Sequence, residues 1–458
     1  MKRKISRFAI FMLLVLSHAA VAQNPIIQTK FTADPAPLVY KDTVFLYASH
    51  DEDNAGPGMG KFLMKDWLLY TSTDMVNWTD HGAVASLKNF SWGKQDNGAW
   101  APQCIERNGK FYLYCPVQGS GIGVLVADSP YGPFKDTIGK RLVEDDHIWN
   151  DIDPTVFIDD DGQAYLYWGN PSLWYVKLNK DMISYSGEVH KVPGVGKEKG
   201  QNTPDAYNYQ EGPWAYKRNG HYYMAYASTC CPEGIGYAMS ESPIGPWEYK
   251  GYIMKPNRKS SGNHPGIIDY KGKSYVFGFN YRLNFMLTDV HHERRSICVE
   301  EFKYNPDGTI PELSWWSETG ISQVGSLDPY RRVEAETINW SEGITTRKDT
   351  ITKQVYVTNI SNNDFIKIRG VNFSKGVKKF EARVAALEAG GSIEVRIDGK
   401  TGDLLGTLNV KDTGAEQNWK TVFCALKQVK GKHDLYLIFK GGKENIFNFD
   451  WWTLKTNK

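Results

Sequence analysis

Ile152-Asp153-Pro154-Thr155-Val156-Phe157-Ile158-Asp159-Asp160-Asp161-Gly162 is the stretch that decides the reading of this chain. A polar residue ahead of a proline opens it, a short apolar run follows, and an acidic turn ending in glycine reverses the chain into the aromatic run Tyr165-Leu166-Tyr167-Trp168. Strand, tight turn, strand is the structure such a pattern encodes. The phrase recurs as Asp34-Pro35-Ala36-Pro37-Leu38, Trp100-Ala101-Pro102-Gln103-Cys104-Ile105, Glu211-Gly212-Pro213-Trp214 and His264-Pro265-Gly266-Ile267-Ile268. Its five lead residues, Asp34, Trp100, Asp153, Glu211 and His264, stand 66, 53, 58 and 53 positions apart. A period of about fifty residues built from short strands belongs to blade-type repeats, in which no unit buries its apolar face alone. The expectation is an all-β chain that begins with a five-bladed β-propeller. Equivalent positions of a radial array face one axis, so the lead residues should converge, and three of them are carboxylates.

The intervening punctuation agrees. Asn108-Gly109 and Asn219-Gly220 sit between strand-like runs, the strongest short-range hairpin signal, and Lys271-Gly272 fills the same place in the fifth copy. The acids Asp159 to Asp161 lack the later ligands of a calcium loop and read as a solvated turn. Ser129-Pro130-Tyr131-Gly132-Pro133-Phe134 and Ser242-Pro243-Ile244-Gly245-Pro246-Trp247 are near copies, each closing a unit with an aromatic plug. Beyond Asp307-Gly308 the repeat fades, and from Val333-Glu334-Ala335-Glu336 short strands and Gly-rich turns run on to Phe447-Asn448-Phe449-Asp450-Trp451-Trp452. That tail reads as a β-sandwich of jelly-roll type. The expected organisation is an export signal over 1–22, a propeller over 23–320 and the sandwich over 330–458.

At 458 residues the chain exceeds one ordinary core, and its formal charge of +2 includes no basic stripe for nucleic acid. Lys2, Arg3, Lys4 and Arg7, the apolar Phe8 to Leu16 and Ala20-Val21-Ala22 form a cleavable signal, with no membrane span left after its removal. Residue 23 is Gln, so lipid anchoring is not indicated, and the protein is expected to be secreted or periplasmic. The six cysteines (104, 115, 230, 231, 298, 424) contain no Cys-x-x-Cys pair and read mostly as free buried thiols.

Asp34, Asp153 and Glu211 around one pocket would raise one another's proton affinity, as would aromatic walls. One acid then stays protonated while another stays ionised, the division that glycosidic cleavage needs. An Asp before proline is by itself a common turn opener; the shared register of the three is what points to chemistry. His264 either ligates a cation, holds the carboxylates electrostatically, or is a hydrogen-bonded structural histidine. Sugar rings call for aromatic platforms edged with polar groups, which nominates Trp100 and Trp168, with Arg282 for a hydroxyl.

On Ala33-Asp34-Pro35, the stretch from Ile152 to Gly162, Glu211-Gly212-Pro213-Trp214 and Asn263-His264-Pro265-Gly266, the chain resembles glycoside hydrolase family 43 over about residues 28 to 315. The resemblance implies a five-bladed propeller that inverts configuration, with Asp34 as general base, Glu211 as general acid and Asp153 orienting that acid. It also makes calcium plausible at His264, with no organic cofactor. Asn263 to Tyr270 and Arg295 to Phe302 are similar to the family's arabinoxylan arabinofuranohydrolase branch. That similarity implies release of terminal α-L-arabinofuranosyl groups from arabinoxylan or arabinan in plant cell walls. Ala48-Ser49-His50-Asp51 also occurs in β-xylosidases, which keeps β-D-xylosidase open, and a non-catalytic glycan-binding protein is the rival of another class. Substrate choice is expected from the loops 51–64 and 191–209. The tail resembles a family 6 carbohydrate-binding module, which implies structural calcium at Glu334, Glu336 and Asp450. It departs from that family where Asn359 and Glu416 replace the usual sugar-stacking Tyr and Trp. Weak or no glycan binding is expected at that cleft.

Overall fold

The computed structural model describes residues 24–53, 62–143, 151–196, 207–230, 232–257, 263–387, 391–442 and 444–456. The expected export signal lies outside the described residues, as do 54–61 and 197–206 of the two loops assigned to substrate choice. Among the described residues the regular structure is almost entirely β, with one short α-helix, Arg282–Leu287, and a 3-10 turn, Leu87–Asn89. No helix among the described residues is long and apolar enough to cross a membrane.

Each repeat of the opening phrase begins an antiparallel sheet. The first strands of the five sheets are Phe31–Tyr40, Gln103–Arg107, Thr155–Ile158, Tyr209–Arg218 and Gly266–Tyr270. Each hairpins onto the strand that follows it in sequence, and Phe31–Tyr40 packs against the first strands of both the second and the fifth sheets. The turns follow the chemistry that the sequence requires. Asn108-Gly109 and Asn219-Gly220 hold positive φ at both residues (53° and 79°, 49° and 86°), the twist that a two-residue hairpin loop needs. Asp159 and Asp160 accept Lys217 at 2.8 Å each, so the acidic turn ties the third sheet to the fourth.

The near-copy closers are buckles between sheets. Tyr47 in the first sheet donates its hydroxyl to Pro130 O of the second at 2.6 Å, and Tyr167 in the third donates to Pro243 O of the fourth. Phe134 and Trp247 are buried behind these turns, an apolar contribution of about 2–3 kcal/mol each. The start of the described chain closes the fifth sheet: Ile26 and Thr32 donate N–H groups to Ile297 O and Arg295 O, and the buried Asn24 side chain brackets Val299. Cys104, Cys115 and Cys298 are buried free thiols and Cys424 is a half-buried one, but Cys230 is disulfide-bonded.

The C-terminal region forms two further antiparallel sheets that share a separate core around Phe380, Leu437, Phe439, Phe449 and Trp452. It is fastened to the first sheet by backbone and charge. Strand Thr337–Ile338 pairs with Trp78–Ser86, extending that sheet by one strand. Asn77 exchanges two hydrogen bonds with the Arg369 backbone (2.8 and 2.9 Å). Asp80, buried at this junction, accepts Lys30, Thr346 and the Gly82 N–H at 2.6 Å each. Burial alone would raise its carboxyl, yet Lys30 and these donors hold it below the ordinary range.

Asp80→Ala leaves Lys30, whose side chain is only 13% exposed, without its counter-charge and should cost about 3 kcal/mol in unfolding free energy. Because the folded Asp80 carboxyl is depressed, its contribution is present above the unfolded value and lost as pH falls through the folded one. The wild-type advantage in denaturant titrations should therefore shrink below about pH 4. A gap that stays constant down to pH 2 contradicts this account.

Candidate active site

The residues ahead of the prolines are set by an unusual backbone. Asp34 and Asp153 both adopt left-handed φ, 51° and 59°, immediately before proline, and Gly212 does the same at 57° before Pro213. For a residue with a side chain that conformation costs about 1–2 kcal/mol, and it turns the carboxylate off the strand and inward. Gly212 has no alternative. A Cβ there would lie 2.6 Å from Cδ2 of His264. The first sheet's opening strand is bulged between Ala33 and Ala36, which releases Asp34 from the ladder, and the fourth sheet's opening strand shifts register on both sides of Glu211, which stays paired with Ala227.

Asp34, Asp153, Glu211 and His264 meet at one pocket of about 250 Å³, walled by Phe62, Met64, Trp100 and Ile152 and completed by Asn170 and Arg295. The His264 imidazole stands among the acids, with Nδ1 3.4 Å from Asp34 and Nε2 3.6 Å from Asp153 and 3.5 Å from Glu211. Burial disfavours its charge, but Asp153, Asp34 and Glu211 outweigh that and lift it to about 10. The three acids thus favour the imidazolium form, while Asp153, Glu211 and His264 also bring one ligand atom each within 4.8 Å of one another, a spacing that suits a cation. Asp153 accepts the Gly212 N–H at 3.1 Å. Burial, reinforced by Glu211 and Asp34 and opposed by His264, pushes its carboxyl up to about 7.

Asp34 is gripped at both oxygens. Ser49 donates to Oδ2 at 2.6 Å, and Arg295 Nη1 donates to Oδ1 at 2.9 Å. Glu211 accepts the side-chain amide of Asn170, whose own oxygen takes Gln210 Nε2 at 3.3 Å. Arg295 and Asn170 lie outside the repeated phrase, so the repeat could not nominate them. Arg295 had one signal in sequence, a charged residue directly ahead of the apolar strand Ser296–Phe302.

The other sequence candidates separate. Trp100 lines the pocket, edge-on to Phe62 with ring centroids 6.4 Å apart. Trp168 does not. It is fully buried in the core of the second and third sheets and donates its indole N–H to Asp151 at 2.7 Å. All five residues of its strand, Ala164–Trp168, are buried, so both faces are covered and no platform is presented. Arg282 also misses the pocket. It opens the short helix that turns away after the fifth sheet's second strand, donating to Asn24 O at 2.8 Å and stacking on Trp340.

For the carboxylates of the C-terminal region, the test is what already holds them. Asp450 receives Arg383 on one oxygen at 2.6 Å and Arg332 on the other at 3.5 Å, and Arg332 also pairs with Glu334. Glu336 differs: it is buried, its Oε2 has no hydrogen-bond partner among the described residues, and burial next to Glu334, Asp80 and Asp450 raises its carboxyl. An orphaned oxygen among carboxylates fits a hard cation at Glu336, while Arg332, 2.7 Å from Glu334, and Arg383, 2.6 Å from Asp450, answer the charge of the other two. On the same region a cavity of about 590 Å³ includes Asn359 and Glu416, and among its described lining residues the only aromatic is Phe447, itself buried. Trp419 packs on Tyr356 and Arg383 instead of lining the cavity.

Glycosyl hydrolases family 43 matches residues 22–310, the span that supplies every wall of the pocket. The chain belongs to that family. Carbohydrate binding module family 6 matches residues 334–456. The arabinoxylan arabinofuranohydrolase of Bacillus subtilis is 35% identical over 489 residues, covering 94% of this chain and 91% of that protein. A solved family 43 arabinoxylan arabinofuranohydrolase from Bacillus subtilis, in complex with cellotetraose, superposes with a TM-score of 0.83 at 32% identity over 96% of this chain and 99% of that one. A β-xylosidase/α-arabinofuranosidase from a compost metagenome, solved with xylotriose in a calcium-free form, is 28% identical over 64% of this chain and 98% of that one, with a TM-score of 0.56. This family 43 protein is a glycoside hydrolase.

With a folded value near 7, Asp153 holds a proton that the unfolded chain has lost between about pH 4 and 7, so its charge works against the fold across that window. Asp153→Asn removes the effect. Its melting temperature should gain on the wild type as pH rises from 4 to 7, measured by calorimetry in steps. A pH-independent offset would show that Asp153 is an ordinary carboxylate.

Proposed function

We propose that the protein is an inverting, exo-acting glycosidase that releases terminal α-L-arabinofuranosyl groups from arabinoxylan- or arabinan-type plant polysaccharides or their oligosaccharides. The observation that carries it is the small pocket, of the order of one sugar ring, that gathers three carboxylates, one arginine and one imidazole. In this reading Asp34 activates water, Glu211 protonates the departing oxygen, and Asp153 tunes Glu211. The imidazole of His264 separates Asp34 from Glu211, which suits inversion, where the two acids stand about 6.5–9.5 Å apart to admit a water. The aromatic edge of Trp100 supplies the platform for the ring's C–H face. The arabinoxylan activity of the Bacillus subtilis relative supports the arabinofuranosyl choice. The dual name of the metagenomic relative supports β-D-xylosidase as the second reading.

Several finer readings accompany it. We take the five sheets as the blades of a five-bladed propeller over 23–320, and the two C-terminal sheets as a jelly-roll sandwich over 330–458. We read 1–22 as an export signal and the protein as secreted or periplasmic; the disulfide at Cys230 supports an oxidising compartment. Calcium we assign to Glu336, with the cluster of His264, Asp153 and Glu211 as the second position that could take it. Bound at Glu336 it would neutralise buried charge and stiffen the region next to Thr337–Ile338; the hydrolysis does not run through it.

Glu211→Gln should cut kcat on arabinoxylan by about 10³-fold while sparing 4-nitrophenyl arabinofuranoside, whose leaving group needs little protonation. Equal losses on both would remove Glu211 from the acid's role. A parallel assay on 4-nitrophenyl xyloside decides between the two pentoses, and NMR of the first-formed anomer reads out inversion. For calcium, a chelator should lower the wild-type melting temperature and leave that of Glu336→Gln unchanged. Equal shifts in both would refute the assignment.

A further inference from the structure

Asp51 is 1% exposed, does not line the pocket, and yet takes three hydrogen bonds from one pocket residue. Arg295 donates its backbone N–H and Nε to Oδ2 at 2.8 and 3.0 Å, and Nη2 to Oδ1 at 2.9 Å. The paired Nε and Nη2 edge of the guanidinium, the edge that grips carboxylates most strongly, is thereby spent on Asp51. Only Nη1 is left for Asp34, which it meets at a single oxygen. Phe62 and Phe279 flank the guanidinium, 4.9 and 5.6 Å from their ring centroids, and fix its plane.

We propose that Asp51 is a positioning residue for the hydrolysis: it takes the bidentate edge of Arg295, so that the arginine orients Asp34 through one oxygen without capping it. The inference rests on the reading of Asp34 as the base. A base must keep a lone pair free for the water it deprotonates. Arg295 and His264 already crowd Oδ1 of Asp34 and Ser49 takes one lone pair of Oδ2, so a bidentate arginine would add a second donor to Oδ2 and leave no lone pair open there. Asp51 prevents that outcome. The strand explains how: in Thr43–Asp51 side chains alternate faces, so Ser49 and Asp51, two positions apart, reach the same side, one toward Asp34 directly and the other through Arg295. The arrangement is costly. Asp51 is a buried charge whose carboxyl is raised by burial against the pull of Arg295, and an apolar pair of the same volume is often as stable as a buried ion pair. A stability role alone does not call for it.

The test compares Asp51→Asn, Arg295→Lys and the double variant on whichever nitrophenyl pentoside the wild type cleaves. For Asp51→Asn the expected result is a fall in kcat of about 10²-fold with KM changed less than about threefold, the signature of a misplaced catalytic group. The double variant should be no slower than about the worse single one, because both changes break one linkage. A kcat within about threefold of wild type, a loss confined to KM, or losses that multiply in the double variant would each overturn the inference. If Asp51→Asn does not fold, Asp51→Glu keeps the charge, displaces the oxygens by one methylene, and is held to the same criteria. A crystal structure of the Asp51 variant separates this inference from the assignment of function: Arg295 should leave its single contact with Asp34 or turn its paired edge toward it. An unchanged Nη1 contact overturns the inference, whereas a wild type inert on every pentoside overturns only the functional reading.

Discussion

Four carboxylates, Asp34, Asp51, Asp153 and Glu211, surround two buried cations, Arg295 and His264, and the centre of this molecule is organised by that charge balance. Repulsion among the acids would disperse them if the two cations did not stand between them. Arg295 joins Asp34 to Asp51, and His264 joins Asp34 to Asp153 and Glu211. Four negative charges against two positive ones leave an excess of two, and Asp153, lifted to about 7, is placed to carry one of the protons that answer it. All of these groups except Glu211 are buried, so their interactions are stronger than they would be at the surface.

The same centre is bought with backbone strain. Two aspartates in left-handed conformation ahead of prolines, and a glycine that a neighbouring imidazole forbids to be anything else, are local conflicts of the sort that persist at functional sites. They persist because the surrounding sheets over-determine them. Tyrosine-to-carbonyl buckles join the first sheet to the second and the third to the fourth, and the first strand packs against two neighbouring sheets at once.

This explains which parts could be read from the chain. Asp34, Asp153, Glu211 and His264 occupy one register of a repeated phrase, and equivalent positions in repeated units arrive at equivalent places. The β content and the turns were legible for a related reason, since Asn-Gly and Asp-Pro act locally. Trp168 and Arg282 were misplaced because neither is bound by the repeat. A strand buried on both faces gives alternation nothing to report, and the turn into a six-residue helix swings Arg282 toward Trp340. Arg295, Asn170 and Asp51 are not legible because their roles depend on partners 40 to 261 residues away along the chain or on their own strand's pleat, and only Asp51 shares a strand with a residue that touches Asp34. The orphaned oxygen of Glu336 is invisible for the same reason: being unpartnered is a property of the fold.

The C-terminal region belongs in this argument because of where it is attached. The sheet that carries Asp34, Ser49 and Asp51 ends at Trp78–Ser86, and the strand that covers this edge, Thr337–Ile338, comes from the far end of the chain. Without that strand the sheet would expose a row of unpaired backbone groups, an invitation to non-native pairing. It would also lose the Asn77 to Arg369 bracket and leave Lys30 and Asp80 facing water instead of Thr346. The region is therefore a structural completion of the first sheet as well as a match to carbohydrate-binding modules. Its cleft can shed the stacking aromatics of such modules while the region remains necessary, since what holds it in place is the edge of the sheet that presents the acids.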